Sequence, residues 1–490
     1  MSPRTHFHRR LVAGALGAVL VGALVPEAGN ASGSRDYDVW LTDQNNTRGY
    51  SATAPRGTHG GRLIIHDGDD LDARRGPVDA PDVIDLADLY AVGGPNNQTD
   101  ANVVRPHMIF PSPDHRLLAL AFVASGHVAI LDARTRAPRA LFRMTPGAVG
   151  ARQAHAAFWT PDGRSLIVAN QNGKLLERID YDRRTGAFTH RTDLTLDLAN
   201  CTTPNGFPCQ TPTPVNDSDP AYRGPNNRPD NAPICPVISA DGKAYTTLRG
   251  GGMLVVDARK MQIVGEYGTS AIGRDGCGGR QQGDSLYLNS GTGTPVTNPS
   301  QFTVFSVRDR FPSAPAFRLP NQPLANIFYD DTTPETPNDA HGTALTKHGR
   351  FLWAFDRLAN KAQVFSTRSD PPRHVGEVDL VAPFATDPTP DIVDMSPRFD
   401  RFYTALRGPL PQTGAHASAG TTPGLGIVTL RGNGHTGHLS HVLRTTFTNP
   451  VDGSEESDPH GVAVRVGRSK DAVEFARAGG GTVPTVCDLS

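Results

Sequence analysis

The sequence repeats one pattern of short strands and tight turns, and this repeat limits the possible folds more than any other feature. Its clearest copy spans residues 154 to 189, AHAAFWTPDGRSLIVANQNGKLLERIDYDRRTGAFT. Apolar and polar residues alternate within its segments, as in half-buried strands, and Pro-Asp-Gly marks the first turn. Four antiparallel strands within about 40 residues are typical of one blade of a β-propeller.

The turns of the repeat allow its copies to be aligned. The residue seven positions before each turn marks the start of a first strand and gives seven starts, which are His107, His155, Ile234, Asp275 (in a degenerate copy), His341, Asp391 and His460. Segments that resemble the third strand, such as GHVAILDART and GMLVVDARK, also number seven. The two counts agree on seven blades.

The order of strands at the chain ends predicts how the ring closes. The chain begins with DYDVWLTDQ and GRLIIHDGD, which match a second and a third strand without a first. Its last repeat, HGVAVRVG, is a first strand without a second or third. We therefore expect an all-β, seven-bladed propeller of four-stranded antiparallel blades from residue 37 to 468. The C-terminal strand would join the N-terminal blade and remove free sheet edges.

Equivalent strand starts in the seven blades form a ring around the central axis. Four of its seven members are histidines, His107, His155, His341 and His460, although the chain has only 17 histidines among 490 residues. Neutral imidazoles that converge from several strands are good ligands for copper, iron, zinc or nickel. We expect these four to bind a metal ion, copper or iron, with Asp391 as a catalytic base or fifth ligand.

Side chains two residues before the ring histidines extend this candidate site. Asp339 and Asp458 each precede one histidine, and such carboxylates can orient an imidazole through its second nitrogen. Gln153 and Arg105 hold the matching places before the other two histidines and can face a substrate. A histidine at a strand entry can also only cap backbone groups or bond across blades, so a purely structural ring is an alternative.

The stretches HGVAV and HAAFWTPDGRSLIVAN resemble the YVTN-type and lactonase-like seven-bladed β-propellers, and the resemblance covers most of the mature chain. Lactonase-like families also have Pro-His before a propeller strand, as in RPHMIF here. The resemblance implies the fold, and it implies an active site of His, Arg and Glu without a firm need for metal. It assigns no activity, because this architecture carries many unrelated functions.

Three functions fit these observations. The first is a metal-dependent oxidase or oxygenase that acts on a small molecule. The second is a lactonase-like hydrolase or isomerase that uses the histidines and Arg105 without metal. The third is a non-catalytic propeller that binds a partner or a glycan. The formal net charge of −1 gives no reason to expect nucleic acid or a membrane as a partner, and we expect a monomer.

The N-terminus predicts export. Residues 1–31 combine a basic start, the apolar run LVAGALGAVLVGALV and small residues before Ser32, as in a signal peptide. Arg9 and Arg10 loosely resemble a twin-arginine signal. We therefore expect a secreted or periplasmic protein, in which disulfides can form.

The five cysteines are consistent with disulfides. The spacing of Cys201 and Cys209 suits a short bridged loop, and Cys235 with Cys277 is a plausible second bridge. Cys487 would then be left over, although the sequence does not settle the pairing.

Two segments lie outside the repeats. Residues 196–232 form an insert rich in Pro, Asn and Asp, which we expect to lie over the histidine face. Its run VNDSDP could bind calcium through oxygen ligands, and the alternative is a solvated loop. Residues 469–490 form a C-terminal tail with one short helical segment.

Overall fold

The computed structural model describes residues 36–73, 80–211, 227–291, 302–310, 325–331, 338–413 and 418–481. Their strands form seven antiparallel sheets, which are the blades of a propeller. The all-β, seven-bladed architecture expected from the repeat is therefore confirmed. The signal-peptide segment 1–31, the run VNDSDP and Cys487 lie outside the described residues.

The strands follow the chain from blade to blade. Blade 1 contains β1 (Tyr37–Asp43), β2 (Arg62–Asp67) and β3 (Asp82–Asp85), and blade 2 contains β4 (Pro106–Pro111), β5 (Leu117–Phe122), β6 (His127–Asp132) and β7 (Pro138–Arg143). Blade 3 contains β8 (Ala154–Trp159), β9 (Ser165–Asn170), β10 (Leu175–Asp182), β11 (Ala187–His190) and the short β12 (Leu196–Asp197). Blade 4 contains β13 (Pro233–Ile238), β14 (Lys243–Leu248), β15 (Met253–Asp257) and β16 (Gln262–Tyr267). Blade 5 contains β17 (Gly279–Gln282), β18 (Ser285–Ser290), β19 (Phe302–Arg308) and β20 (Asn326–Asp331). Blade 6 contains β21 (Ala340–Leu345), β22 (Phe351–Asp356), β23 (Lys361–Ser366) and β24 (Arg373–Asp379). Blade 7 contains β25 (Pro390–Met395), β26 (Arg401–Leu406), β27 (Gly424–Arg431) and β28 (Thr436–Arg444).

The last strand, β29 (Pro459–Val466), closes the ring. It pairs antiparallel with β1, with Val466 opposite Tyr37 and Ala463 opposite Trp40, and so becomes the innermost strand of blade 1. This confirms the predicted closure, and it pairs both edges of β1 within one sheet.

The inner strands are largely buried because neighbouring blades cover both of their faces. All six residues of β4 and of β5 are buried, whereas the outer strand β7 is partly exposed. Buried tryptophans also link the blades. The Trp159 indole N–H donates to the Phe110 carbonyl oxygen at 3.2 Å, and that of Trp353 donates to Gly434 at 2.8 Å.

Helices are short and lie outside the blades. They are α1 (Gly68–Leu71), α2 (Leu86–Leu89) and α3 (Ser469–Arg477), with 3-10 turns at Thr192–Leu194, Lys347–Gly349 and Gly432–Gly434. None of the helices in the described ranges is long and apolar enough to cross a membrane.

The C-terminal helix α3 packs at one end of the propeller. Its Phe475 is buried against the rings of His115 and Phe399, and the His348 N–H donates to the Ala478 carbonyl oxygen at 2.7 Å. These contact residues lie in turns that follow inner strands. Helix α3 therefore lies at the end of the axis opposite to the strand starts.

Both expected disulfides form in the structure. Cys201 pairs with Cys209, and Cys235 pairs with Cys277, with Cα–Cα distances of 5.3 and 5.1 Å. Such bridges persist in oxidising compartments, which is consistent with a location outside the cytoplasm.

Part of the insert also has a defined place, beside the ring. Its Arg228 guanidinium pairs with Glu266 at 2.8 Å, and both side chains are fully buried. Its Asp230 pairs with Arg249, which lines the axial cavity described below.

Three buried histidines away from the axis predict a fall in stability in acid. Burial lowers the pKa of His66, His115 and His127 to about 4. Below about pH 6.5 these histidines become protonated in the unfolded chain, whereas in the folded protein they stay neutral until the pH approaches 4. The stability they support is therefore complete above that pH and is lost as the pH falls toward 4. We expect each of these histidines to lower the free energy of unfolding by about 1.4 kcal/mol per pH unit in that range. Urea unfolding at about pH 7.5 and about pH 5 measures the loss.

A matched pair of variants tests this assignment. His115 accepts a hydrogen bond from the Val466 N–H at 2.9 Å, and His115→Gln should make the loss of stability with falling pH shallower. The exposed His435→Gln should keep the parent's pH dependence. Equal pH dependence in the three proteins would contradict the assignment.

Candidate functional site

The predicted ring residues occupy one structural position. His107, His155, Ile234, His341, Asp391 and His460 are each the second residue of the innermost strand of a blade. At all six, the pairing with the next strand shifts register, as in a β-bulge. A bulge leaves a residue out of the ladder and redirects its side chain. Asp275 precedes β17, has a φ of 52° and also lines the cavity.

All of these positions except Asp391 line an axial cavity of about 310 Å³. Its wall also contains four residues that directly follow second strands, namely Val123, Gln171, Arg249 and Arg357. This volume is at the lower end of the range found for small-molecule pockets. The cavity therefore suits a small molecule at the end of the propeller opposite to α3.

Asp391 joins two of the ring histidines into a compact group. Its Oδ1 lies 3.0 Å from His341 Nε2, and its Oδ2 lies 3.6 Å from His460 Nε2. One donor atom from each of the three residues lies within 4.8 Å of the other two. Although 3.0 Å apart, His341 Nε2 and Asp391 Oδ1 are not aligned for a hydrogen bond, and both are buried without another partner. These two ligand-type atoms thus contact each other without a hydrogen bond.

Two arginines, which the sequence analysis did not single out, hold this carboxylate. Arg357 and Arg407 each donate to Asp391 Oδ2, at 3.1 and 3.0 Å. Arg357 also pairs with Asp339 at 2.7 Å, and Arg407 pairs with Asp458 at 2.7 Å. Asp339 and Asp458 thus bond guanidinium groups directly, and Asp458 also accepts from Gln44, which contacts the His107 imidazole.

The other two histidines contact each other, and one of them also contacts the first group. The His107 ring stacks on His460 with centroids 3.6 Å apart, and its Nε2 lies 3.2 Å from His155 Nε2. Gln44 donates from Nε2 to Asp458 Oδ2, so its Oε1 accepts from His107 Nδ1 at 2.9 Å. The two Nε2 atoms can share one hydrogen bond, whose donor is set by the tautomer of each ring.

Burial keeps the four imidazoles neutral. It lowers the pKa of His341 to about 3 and, against an opposing effect of a backbone carbonyl, that of His155 to about 4. The pKa values of His107 and His460 fall well below the usual range for the same reason. Burial acts in the other direction on Asp391, but its neighbours His341, Arg357 and Arg407 outweigh it and lower its pKa to about 2. Neutral imidazole and ionised carboxylate are the forms that bind metals.

The remaining predicted residues divide between the cavity and its surroundings. Gln153 lines the cavity, whereas Arg105 donates to the Gln412 carbonyl oxygen at 3.1 Å and is not among the described residues of the cavity wall. Gln171 Oε1 is buried without a hydrogen-bond partner. Burial, together with Asp339, raises the pKa of Asp275 to about 7. Gln153, Gln171 and Asp275 therefore offer polar groups to a substrate.

The arginines did have a signal in the sequence. The residue directly after the second strand is Arg in three blades, in KAYTTLR, FLWAFDR and RFYTALR. Aligning that position across the repeats would have placed Arg249, Arg357 and Arg407 in a second ring.

Fold and site together define a seven-bladed propeller with a histidine–aspartate site on its axis. No protein-family model matches the sequence, and a search of curated proteins finds no match. Similar solved structures include a candidate 6-phosphogluconolactonase from Bacteroides fragilis, with 12% identity and a TM-score of 0.50 over 89% of this chain and 99% of that one. A protein from Lactobacillus plantarum shares 12% identity, with a TM-score of 0.52 over 88% and 99% of the two chains.

A hypothetical selenium-binding protein from Sulfolobus tokodaii is also similar, with 9% identity and a TM-score of 0.57 over 93% of this chain and 97% of that one. At such low identity these likenesses establish the fold alone. The resemblance to lactonase-like seven-bladed propellers therefore holds at the level of architecture.

Proposed function

We propose that this protein is an exported, metal-dependent oxidoreductase that acts on a small molecule in the axial cavity. The observation that carries the proposal is the group of His341, Asp391 and His460, with donor atoms within 4.8 Å of one another. Two imidazoles and one carboxylate with open positions are the donor set of non-haem iron(II) oxygenases. Iron is therefore the favoured ion, and copper is the alternative.

The chain fits such an ion in three respects. The two imidazoles are neutral, the carboxylate is ionised, and both His341 Nε2 and Asp391 Oδ1 lack a hydrogen bond. An iron ion held there would supply redox chemistry beside the cavity. Arg357 and Arg407 would occupy Oδ2 of Asp391 and keep its Oδ1 available.

The cavity wall supports a role for its polar groups in substrate binding. Gln153, Gln171 and Arg249 come from blades 3 and 4, whereas the three proposed ligands come from blades 6, 7 and 1. Amide and guanidinium groups can bond a polar substrate and hold it against the proposed ligands. The signal-like segment 1–31 and the two disulfides support export, to the periplasm or beyond the cell.

A lactonase-like hydrolase without metal is the second candidate. The architecture shared with the candidate 6-phosphogluconolactonase favours it, as do neutral imidazoles at the cavity. In that case His341 or His460 would accept a hydrogen bond from the attacking water, and Arg249 would bind the developing oxyanion.

Metal content separates the two candidates. The mature protein is purified without tags or chelators and analysed for iron, copper and zinc before and after anaerobic loading with iron(II). We expect about one iron per chain in the parent and less than about one tenth in His341→Ala/His460→Ala, since two of three ligands are removed. The exposed pair His435→Ala/His441→Ala is the matched control and should keep the metal.

Circular dichroism shows whether each variant has folded. A folded parent that takes up neither iron nor copper would contradict the proposal, and lactone hydrolysis by that metal-free protein would support the second candidate. If the folded His341→Ala/His460→Ala variant keeps its metal, the metal site lies elsewhere in the protein.

A further inference from the structure

The Cys235–Cys277 disulfide lies directly behind the wall of the axial cavity. It joins β13 of blade 4 to the segment that precedes β17 of blade 5. Its neighbours in sequence, Ile234 and Asp275, both line the cavity. Cys235 is fully buried, and Cys277 is 4% exposed. This position differs from that of a bridge in a surface loop.

A histidine nitrogen faces this disulfide. His155 Nδ1 lies 3.9 Å from Cys235 Sγ. With its proton on Nε2, where it can donate to His107 Nε2, a neutral His155 would turn an Nδ1 lone pair toward this sulfur. One donor atom from each of His155, Cys235 and Cys277 lies within 4.8 Å of the other two.

We propose that opening this disulfide creates a second metal site, formed by the thiolates of Cys235 and Cys277 and by His155 Nδ1. Two thiolates and one imidazole suit zinc or copper(I), which are softer ions than the first site prefers. The donor atoms are distinct from those of His341, Asp391 and His460, so the inference does not depend on the proposed function.

The chemistry balances with a small dithiol as reductant. One thiolate of the dithiol attacks a cysteine sulfur and breaks the S–S bond, which gives a mixed disulfide and one free cysteine thiolate. The second thiol of the dithiol then releases the other cysteine and closes into a cyclic disulfide. Two electrons thus pass to the protein, and the two cysteine thiol protons pass to solvent when the metal binds.

The second disulfide of the chain provides a control. Cys201 and Cys209 belong to no comparable group of donor atoms in the part of the chain that the structure describes. Opening that bridge should therefore create no metal site, although it releases the same number of thiols.

The test measures zinc with the axial ligands removed. His341→Ala/His460→Ala is incubated with zinc, with or without dithiothreitol under nitrogen, then desalted and analysed. We expect almost no zinc in the oxidised protein and about one zinc per chain in the reduced protein. Adding Cys235→Ser or His155→Ala should abolish this uptake, whereas Cys201→Ser/Cys209→Ser should leave it unchanged. Cobalt(II) in place of zinc should give a thiolate charge-transfer band only after reduction.

Three results would overturn the inference. One is a Cys235–Cys277 disulfide that resists dithiothreitol while the protein is folded. Another is a reduced protein that takes up no zinc, and the third is uptake that survives Cys235→Ser. The unsubstituted parent, loaded in the oxidised state, reports on the first site separately, so failure of one site is distinguishable from failure of the other.

Discussion

Removal of residues 459–490 should leave no folded propeller. Strand β29 is the innermost strand of blade 1, and all eight of its residues are buried. Without it, β1 becomes an open sheet edge and blade 1 loses its contact with the axis. The chain then lacks Val462, Val464 and Val466, which are each no more than 1% exposed. Circular dichroism and thermal unfolding should show no cooperative transition.

A shorter truncation is the control for this prediction. Ending the chain after Gly467 removes α3 and the tail but keeps β29 paired with β1. This protein should fold with reduced stability, because Phe475 no longer covers His115 and Phe399. If the longer truncation unfolds cooperatively at the parent's temperature, the ring does not depend on its C-terminal strand.

The substitution Arg407→Met should destabilise the protein by about 3 to 5 kcal/mol, since it breaks a buried ion-pair network. Arg407 is fully buried and bonds Asp391 and Asp458. Replacing it leaves Asp458 without its guanidinium partner and Asp391 with Arg357 alone, in a buried site. Urea unfolding at neutral pH measures the loss, with Arg184→Met, whose side chain is 86% exposed, as the control.

A second substitution tests the cause of that loss. Arg407→Met/Asp458→Asn removes the unpaired charge of Asp458, so it should be more stable than Arg407→Met alone by more than about 1 kcal/mol. A loss of less than about 1 kcal/mol in Arg407→Met would show that the network is well solvated, contrary to the geometry.

The sequence was sufficient to predict the fold because every blade repeats the same local signals. The Pro-Asp-Gly turn at residues 161–163 sets the register, and from it His155 falls on the second residue of β8. The same count places His341 and His460 in their strands, 119 residues apart in sequence and in ring contact in space at 5.3 Å. The closure by β29 could be predicted because the chain begins with a second and a third strand and ends with a first strand.

The contacts within the site could not be read in the same way. The partners of a side chain depend on the direction that the bulge gives to it. No turn residue in the sequence marks the bulges at His107 or Asp391. Asp339 was paired with a histidine because it is close in sequence, whereas its partner Arg357 comes from the end of β22. The approach of His155 to Cys235 joins neighbouring blades and is a purely spatial relation.

X-ray absorption at the metal edge of the iron-loaded, oxidised protein tests the central claim most directly. The account predicts one iron per chain with nitrogen and oxygen ligands, imidazole scattering that weakens in His341→Ala, and no sulfur ligand. An iron coordinated by sulfur, or a spectrum unchanged by the loss of His341, would contradict a metal centre built on His341, Asp391 and His460.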